Sequence, residues 1–203
     1  MNHRKVDSVF ISIFYEAVIS QLGKENLVAV LEKASLPPGW AEPATLQGMN
    51  DFEAARAYAG LQKAMRMYYG RGARGVLMRV GSNMWGPLLK QASLGQKAQA
   101  AIVRRLPVNT RRKPTLDMLA AFLSVDKDDV TVHTLDLDLL LDDHASPGTL
   151  DITDNEPICY VTRGIIREAL YWATGYEHDI EETSCRAMGD ETCEFTITTG
   201  LQK

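Results

Sequence analysis

Cysteines and long apolar runs are scarce in this sequence. Its 203 residues include only three cysteines, too few for the dense disulfide framework of a small secreted domain. No segment reaches the roughly 18 uninterrupted apolar residues that a membrane span needs. The apolar run "VFISIF" lies between Asp7 and Glu16 and resembles neither an anchor nor a signal peptide. We therefore expect a cytoplasmic protein with reduced thiols, long enough for one domain with a sizeable core.

Acidic residues are absent from one long stretch. Residues 71–116 contain ten Lys or Arg and no Asp or Glu, whereas residues 117–203 contain nineteen acids and five basic residues. Two interpretations follow from this polarity. Either the two parts compensate each other within the chain or across a dimer, or the basic part forms an anion site.

The apolar spacing predicts helices in the first two thirds of the chain and strands later. Helical periodicity, often closed by glycine, predicts helices at residues 7–22, 24–35, 51–69, 94–105, 114–124 and 157–175. The segment "VTVHTLDLDLLL" and residues 176–199 instead have the β-branched and alternating pattern of strands. The order of elements predicts an α+β fold with helices packed on an antiparallel sheet.

Two of the three cysteines lie close together in the stretch "ETSCRAMGDETC". The residues on both sides of "MGDE" alternate in polarity, which predicts a β-hairpin. In such a hairpin Cys185 and Cys193 lie opposite each other, with their side chains on the same face. Three fates compete for this pair: a disulfide, which a reducing compartment disfavours, inert burial, and metal binding.

Cys159 and Glu182 extend the pair to a possible ligand set. Cys159 is predicted in the first turn of helix 157–175, where the helix dipole favours a thiolate. Glu182 lies three residues before Cys185, and three sulfurs with one carboxylate oxygen suit Zn²⁺. Because residues three apart in a regular strand point to opposite faces, this set requires a β-bulge at Thr183 and Ser184.

The same region resembles a known family. "CYVTRG", a helix ending in "TGYE", and "EETSCRAMGDETCEFTI" resemble the C-terminal half of the V4R (4-vinyl reductase) domain, over residues 156–198. V4R domains occur in bacteriochlorophyll synthesis and in aromatic-hydrocarbon sensors. The resemblance implies zinc at Cys159, Glu182, Cys185 and Cys193. It also implies a fold like that of the trafficking-particle and nitric-oxide-sensor superfamily, a homodimer, and a small-molecule pocket near the metal.

The resemblance also divides the chain. Residues 1–50 are predicted to form a helical N-terminal extension packed on the domain. Residues 51–203 are predicted to form a V4R-like ligand-binding domain that ends in a zinc-binding helix and hairpin.

Four protein ligands leave no open coordination position, so the predicted zinc is structural. This favours a binding role, although catalysis stays open, and we assign no catalytic residue. "GRGARG" matches a dinucleotide-binding pattern but follows a helix and has no acid about twenty residues later. A haem role for His133 or His178 lacks the Tyr-x-Ser-x-Arg signature of the related gas sensors.

The ligand pocket is predicted from composition. A Met- and aromatic-rich stretch suits an apolar wall, and "RRLPVNTRRK" at residues 104–113 could hold carboxylates or phosphates or form a solvated face. The predicted pocket residues are Tyr68, Met78, Trp85, Arg111 and Arg112. We do not expect a phenol as ligand, because the histidine and tryptophan that hold it in the sensors have no evident equivalents. Nucleic-acid binding is not expected either, because no DNA-binding motif accompanies the basic stretch.

These observations leave three functional hypotheses. The first is a stand-alone zinc-stapled sensor or carrier for an apolar small molecule, with or without an acidic group, and with output through a partner protein. The second is an accessory protein or enzyme of bacteriochlorophyll or tetrapyrrole biosynthesis. The third is an interaction subunit without a ligand.

Overall fold

The structure is a computed structural model that describes residues 4–126, 128–136 and 138–199. Its helices and strands follow in order: α1 Ser8–Leu22, α2 Lys24–Lys33, α3 Pro43–Gln47, α4 Asp51–Tyr69, α5 Ala73–Gln91, α6 Leu94–Arg105, α7 Arg112–Leu123, β1 Val130–Leu135, β2 Asp138–Asp143, α8 Tyr160–Thr174, β3 Asp179–Ser184 and β4 Cys193–Thr198. The predicted α+β class and the helical N-terminal region are confirmed. No described helix has the length and apolar character needed to cross a membrane.

Side-chain caps account for several of the helix starts. Asn50 accepts hydrogen bonds from the backbone N–H groups of Phe52 and Glu53, while the Glu53 carboxylate accepts from the Asn50 N–H. Ser93 and Gln96 form the same reciprocal capping box at α6. Each box satisfies backbone donors that have no partner inside the helix. Both helices accordingly begin and end at the predicted residues.

The sheet is fully antiparallel, with strand order β1-β2-β4-β3. Alternate residues of the two central strands, such as Leu141 and Phe195, are completely buried beneath the helices. Asp142 and Glu194 stand opposite each other on the other face of these strands. Apolar and acidic residues alternate in the sequence of these strands because helices cover only one face of the sheet.

Helix α5 corrects the sequence prediction, which assigned no helix to residues 73–91. This segment contains Gly75, Gly81, Gly86 and Pro87, which lower intrinsic helix propensity. Trp85 lies in the core, where its ring contacts Phe122 of α7 and Trp172 of α8 at centroid distances of 5.8 and 5.6 Å. Packing of this kind outweighs the weak local propensity.

Several predicted boundaries also move. Helix α8 begins at Tyr160 and not at residue 157, so Cys159 is its N-cap. Helix α7 begins at Arg112, two residues earlier than predicted, and α2 ends at Lys33. The predicted division of the chain at residue 50 stays a prediction, and its outer limits, residues 1–3 and 200–203, lie outside the described part.

Candidate metal centre and neighbouring cavity

The four predicted metal ligands converge on one point. Cys159 lies at the N-terminus of α8, Glu182 on β3, Cys185 directly after β3, and Cys193 at the start of β4. One ligand atom from each residue lies within 4.8 Å of each of the other three, and all four residues are buried. The Sγ atom of Cys159 is 4.0 Å from that of Cys185 and 3.5 Å from that of Cys193. All three cysteines are free thiols in this structure, and both of these distances are far longer than the roughly 2.05 Å between bonded sulfurs.

The hairpin orients its ligands with local hydrogen bonds. The Cys185 N–H donates to the Asp190 carboxylate at 2.8 Å, and the Arg186 N–H donates to the Cys193 sulfur at 3.4 Å. Gly189 has φ of 101°, a conformation that favours glycine and allows the chain to turn back. The strand register shifts between Glu182 and Ser184, which places the irregularity at the predicted bulge.

Glu182 is tied to the helix through only one of its oxygens. Its Oε2 accepts a hydrogen bond from the Cys159 N–H at 2.9 Å. Its Oε1 is buried and has no hydrogen-bond partner in the described part of the chain. A buried carboxylate oxygen without a donor is costly, and a cation at the centre of the cluster would satisfy it.

The cluster concentrates negative charge on one sulfur. Hydrogen bonds from the thiols of Cys159 and Cys193 lower the pKa of Cys185 to about 2. The hydrogen bond with Cys185 in turn raises the pKa of Cys159 well above its ordinary value. Burial and the neighbouring Cys185 raise the pKa of Glu182 to about 9. Negative charges this close together oppose further ionisation. The four side chains would therefore need a bound cation before all of them could lose their protons.

The structure does not bring the five predicted pocket residues together in one cavity. Tyr68 is exposed on α4, and Trp85 is enclosed by aromatic side chains in the core. Arg111 donates to the backbone carbonyls of Leu106 and Ala173, and Arg112 donates to the Nε2 atom of His178. Met78 is half-buried on α5. The two guanidinium groups thus bind the region around the end of α8.

A cavity of about 670 Å³ lies elsewhere, beside the hairpin. Its lining combines the N-terminal segment, the first turn of α4, the connection before α8, and the hairpin turn: Arg4, Lys5, Asp51, Phe52, Ala55, Thr149, Leu150, Asp151, Ile152, Thr153 and Arg186. Sequence reasoning missed this cavity because its walls come from segments up to about 180 positions apart and carry no shared motif.

The cavity and the candidate metal centre share a segment. Arg186 lines the cavity with a side chain that is largely buried, and its own backbone N–H contacts the Cys193 sulfur. The Asp154 N–H donates to the Ala187 carbonyl at 2.8 Å, which ties the far wall to the same turn. A movement of the hairpin turn would therefore also move the cavity wall.

Comparison with known proteins agrees with the sequence resemblance. Residues 146–199 match the family model of the V4R domain, and this segment includes all four candidate ligands. The resemblance predicted from the sequence is therefore confirmed. No curated protein matches the chain.

The fold is similar to that of solved H-NOX proteins. A crystal structure of an H-NOX protein from S. oneidensis in the Fe(II)NO ligation state has a TM-score of 0.57 and 12% identity, and the match covers 95% of this chain and 98% of that one. An oxygen-binding H-NOX domain related to soluble guanylate cyclases, in its oxygen complex, has a TM-score of 0.51 and 11% identity, with coverage of 95% and 93%. At such low identity the likeness establishes the fold alone.

Proposed function

We propose that this chain is a small-molecule-binding sensor or carrier module in which a structural zinc ion fastens the β3–β4 hairpin to the start of α8. The convergence of Cys159, Glu182, Cys185 and Cys193 in one buried cluster carries the proposal. The V4R match over this segment and the sensor-like fold support a ligand-binding role.

The donor set fits zinc better than the other common metals. Three thiolates and one carboxylate suit a tetrahedral Zn²⁺ ion, whereas Ca²⁺ and Mg²⁺ prefer oxygen ligands. Zn–S bonds of about 2.3 Å in a tetrahedron separate the sulfurs by about 3.8 Å. The two Sγ–Sγ distances of 3.5 and 4.0 Å lie on either side of this value.

A zinc ion in this cluster would act on the fold and not on a substrate. Four protein ligands occupy every tetrahedral position, so no activated water is expected. The ion would join the start of α8 to strand β3 and strand β4, and structural zinc sites contribute on the order of 10 kcal/mol to folding.

The cavity beside the hairpin is the proposed ligand site. Its volume falls in the usual range for small-molecule pockets, about 300–1,000 Å³. Phe52, Leu150 and Ile152 supply apolar wall. Lys5 and Arg186 supply positive charge, and of the two carboxylates in the lining, Asp151 is paired with Arg56. This lining favours a mostly apolar molecule with an acidic group, in which the apolar body provides affinity and the charge sets orientation.

Haem is the cofactor implied by the iron ligation states in the names of the similar structures, and the described histidines do not fit it. Arg112 donates to Nε2 of His178, and Nδ1 of His178 lies 3.1 Å from the Tyr176 carbonyl, so both ring nitrogens are engaged. His133 and His144 share the Thr131 hydroxyl beside Asp142. None of these three lines a described cavity, so axial histidine ligation has no support from them.

The ligand can be sought directly by extracting freshly purified protein with denaturant and solvent and analysing the extract by mass spectrometry. We expect a colourless apolar acid, in reduced amount from Phe52→Ala and Lys5→Glu. Tyr68→Ala is the matched control, because it removes an exposed aromatic ring outside the cavity. A pigment in the extract would favour the tetrapyrrole alternative. Wild-type protein that carries its metal but yields no small molecule would contradict the ligand-binding role.

A further inference from the structure

Helix α6 presents an apolar stripe to solvent that its own fold leaves uncovered. Ala100 and Val103 are buried on the inner face, toward α7. On the opposite face Leu94 is 87% exposed and Ile102 is 59% exposed. Large apolar side chains along one exposed face of a helix mark a candidate contact surface.

The stripe has the spacing of a helix-packing surface. Leu94, Ala98, Ala101, Ile102 and Arg105 follow one another at intervals that place them along one side of an α-helix, and all five are exposed. We call these five residues the outer face of α6. Its centre consists of two alanines, which would allow a second helix to approach closely between Leu94 and Ile102.

The charged residues of α6 itself are all basic. No Asp or Glu occurs between Glu53 and Asp117 in the sequence. Lys97 and Arg104 lie beside the outer face of α6, and both are exposed. The face therefore combines an apolar centre with a cationic border, which fits an anionic and partly apolar partner.

The face is also connected to the core. The guanidinium of Arg104 donates to the Trp172 carbonyl at 2.7 Å and lies 5.4 Å from the centre of the Trp172 ring. Trp172 in turn contacts Trp85. A partner on α6 would thus contact a helix whose last turn is bound to the aromatic core.

From this face we propose that α6 is a docking surface for an acidic amphipathic helix of a partner protein. Docking of two α6 helices from two copies would bring Lys97, Arg104 and Arg105 against their own counterparts, which like charge opposes. Docking of α6 on the acidic sheet face of another copy would be a head-to-tail contact, which gives rings or open-ended assemblies. A membrane surface is also a poorer fit, because membrane-binding helices usually carry more large apolar and aromatic side chains than Leu94 and Ile102.

The surface involves neither the metal cluster nor the cavity. If the docking proposal is wrong, the proposed function still stands. If the proposed function is wrong, the docking proposal still stands. The two can be separated in one set of variants by measuring zinc content alongside docking.

A synthetic acidic peptide tests the docking surface. The probe is a labelled helical peptide with Leu at the a and d positions and Glu at e and g of each heptad. The control peptide carries Lys in place of Glu at e and g. Fluorescence anisotropy with the full chain should show binding of the acidic peptide and not of the control peptide. The double variant Leu94→Glu with Ile102→Glu should weaken binding at least tenfold while keeping the wild-type metal content and melting temperature.

The control replaces two other exposed apolar residues, Val125→Glu with Leu135→Glu, and should bind like wild type. The proposal is overturned if the acidic peptide does not bind, or if it binds the α6 variant and wild type equally. It is also overturned if anionic phospholipid vesicles compete the peptide away. Self-association of wild type that the α6 variant abolishes would assign the face to a second copy and would likewise contradict the proposal.

Discussion

Gly81 of α5 and Gly164 of α8 face each other where these two helices cross. A Cβ atom at Gly81 would overlap the Val161 carbonyl, and one at Gly164 would overlap the Met78 carbonyl. Backbone atoms cannot move aside as the end of a flexible side chain can. The two glycines therefore fix how closely α5 approaches α8, the helix that carries Cys159 at its start.

We expect Gly164→Ala to destabilise the protein by about 1–3 kcal/mol, because an added methyl group forces the two backbones apart. Gly75→Ala is the matched control in α5, since its new methyl group would meet only the end of the Arg79 side chain at 3.5 Å. That substitution should be neutral or stabilise by up to about 1 kcal/mol. Denaturant unfolding measures both, and equal stability of Gly164→Ala and wild type would refute the close crossing.

The basic stretch contributes to stability through Arg111. Its guanidinium donates to the Leu106 and Ala173 carbonyls at 2.7 and 2.9 Å. We expect Arg111→Ala to cost about 1.5–3 kcal/mol, the range for hydrogen bonds that involve a charged group. Lys113→Ala removes an exposed pair with Asp117 and should cost less than about 0.5 kcal/mol. Similar small losses in thermal unfolding for both variants would contradict this role and would leave the anion-site and solvated-face interpretations of the stretch.

Helices with local signals were predictable from the sequence, and contacts between distant segments were not. The α4 and α6 boundaries follow from the capping residues Asn50 and Ser93, which act on their own first turns. Helix α5 was missed because its glycines permit a crossing with α8 that lies more than 80 residues away in the chain.

The candidate metal centre was predictable for a related reason. Three of its ligands lie within twelve residues, and the hairpin brings Cys185 and Cys193 together through local alternation. The fourth, Cys159, was proposed from its place at a predicted helix start, and the family resemblance then supported it. The cavity carries no comparable signal, because Lys5, Phe52 and Ile152 meet only in the folded chain.

His178 should make stability depend on pH. Burial, followed by the Arg112 guanidinium, lowers the pKa of His178 below its ordinary value of 6.5. The unfolded chain therefore binds this proton more readily than the folded chain does. The stabilising contribution is present above pH 6.5 and is lost as pH falls through the folded pKa.

We therefore expect His178→Gln, which cannot titrate, to remove this part of the acid sensitivity. The difference in melting temperature between wild type and the variant should shrink or reverse as pH falls from 7.5 to about 5. Other titrating groups affect both proteins alike and cancel in the difference. Parallel curves for the two proteins would show that His178 does not contribute in this way.

Zinc content, measured by elemental analysis of protein purified without chelators, tests the central claim most directly. We expect about one zinc ion per chain in wild type, and its loss together with much of the thermal stability in Cys193→Ser. Glu182→Gln should weaken zinc retention, whereas Glu181→Gln, its exposed neighbour on the same strand, should retain the wild-type content. Wild-type protein without zinc, or a Cys193→Ser variant that holds as much zinc as wild type, would contradict the account.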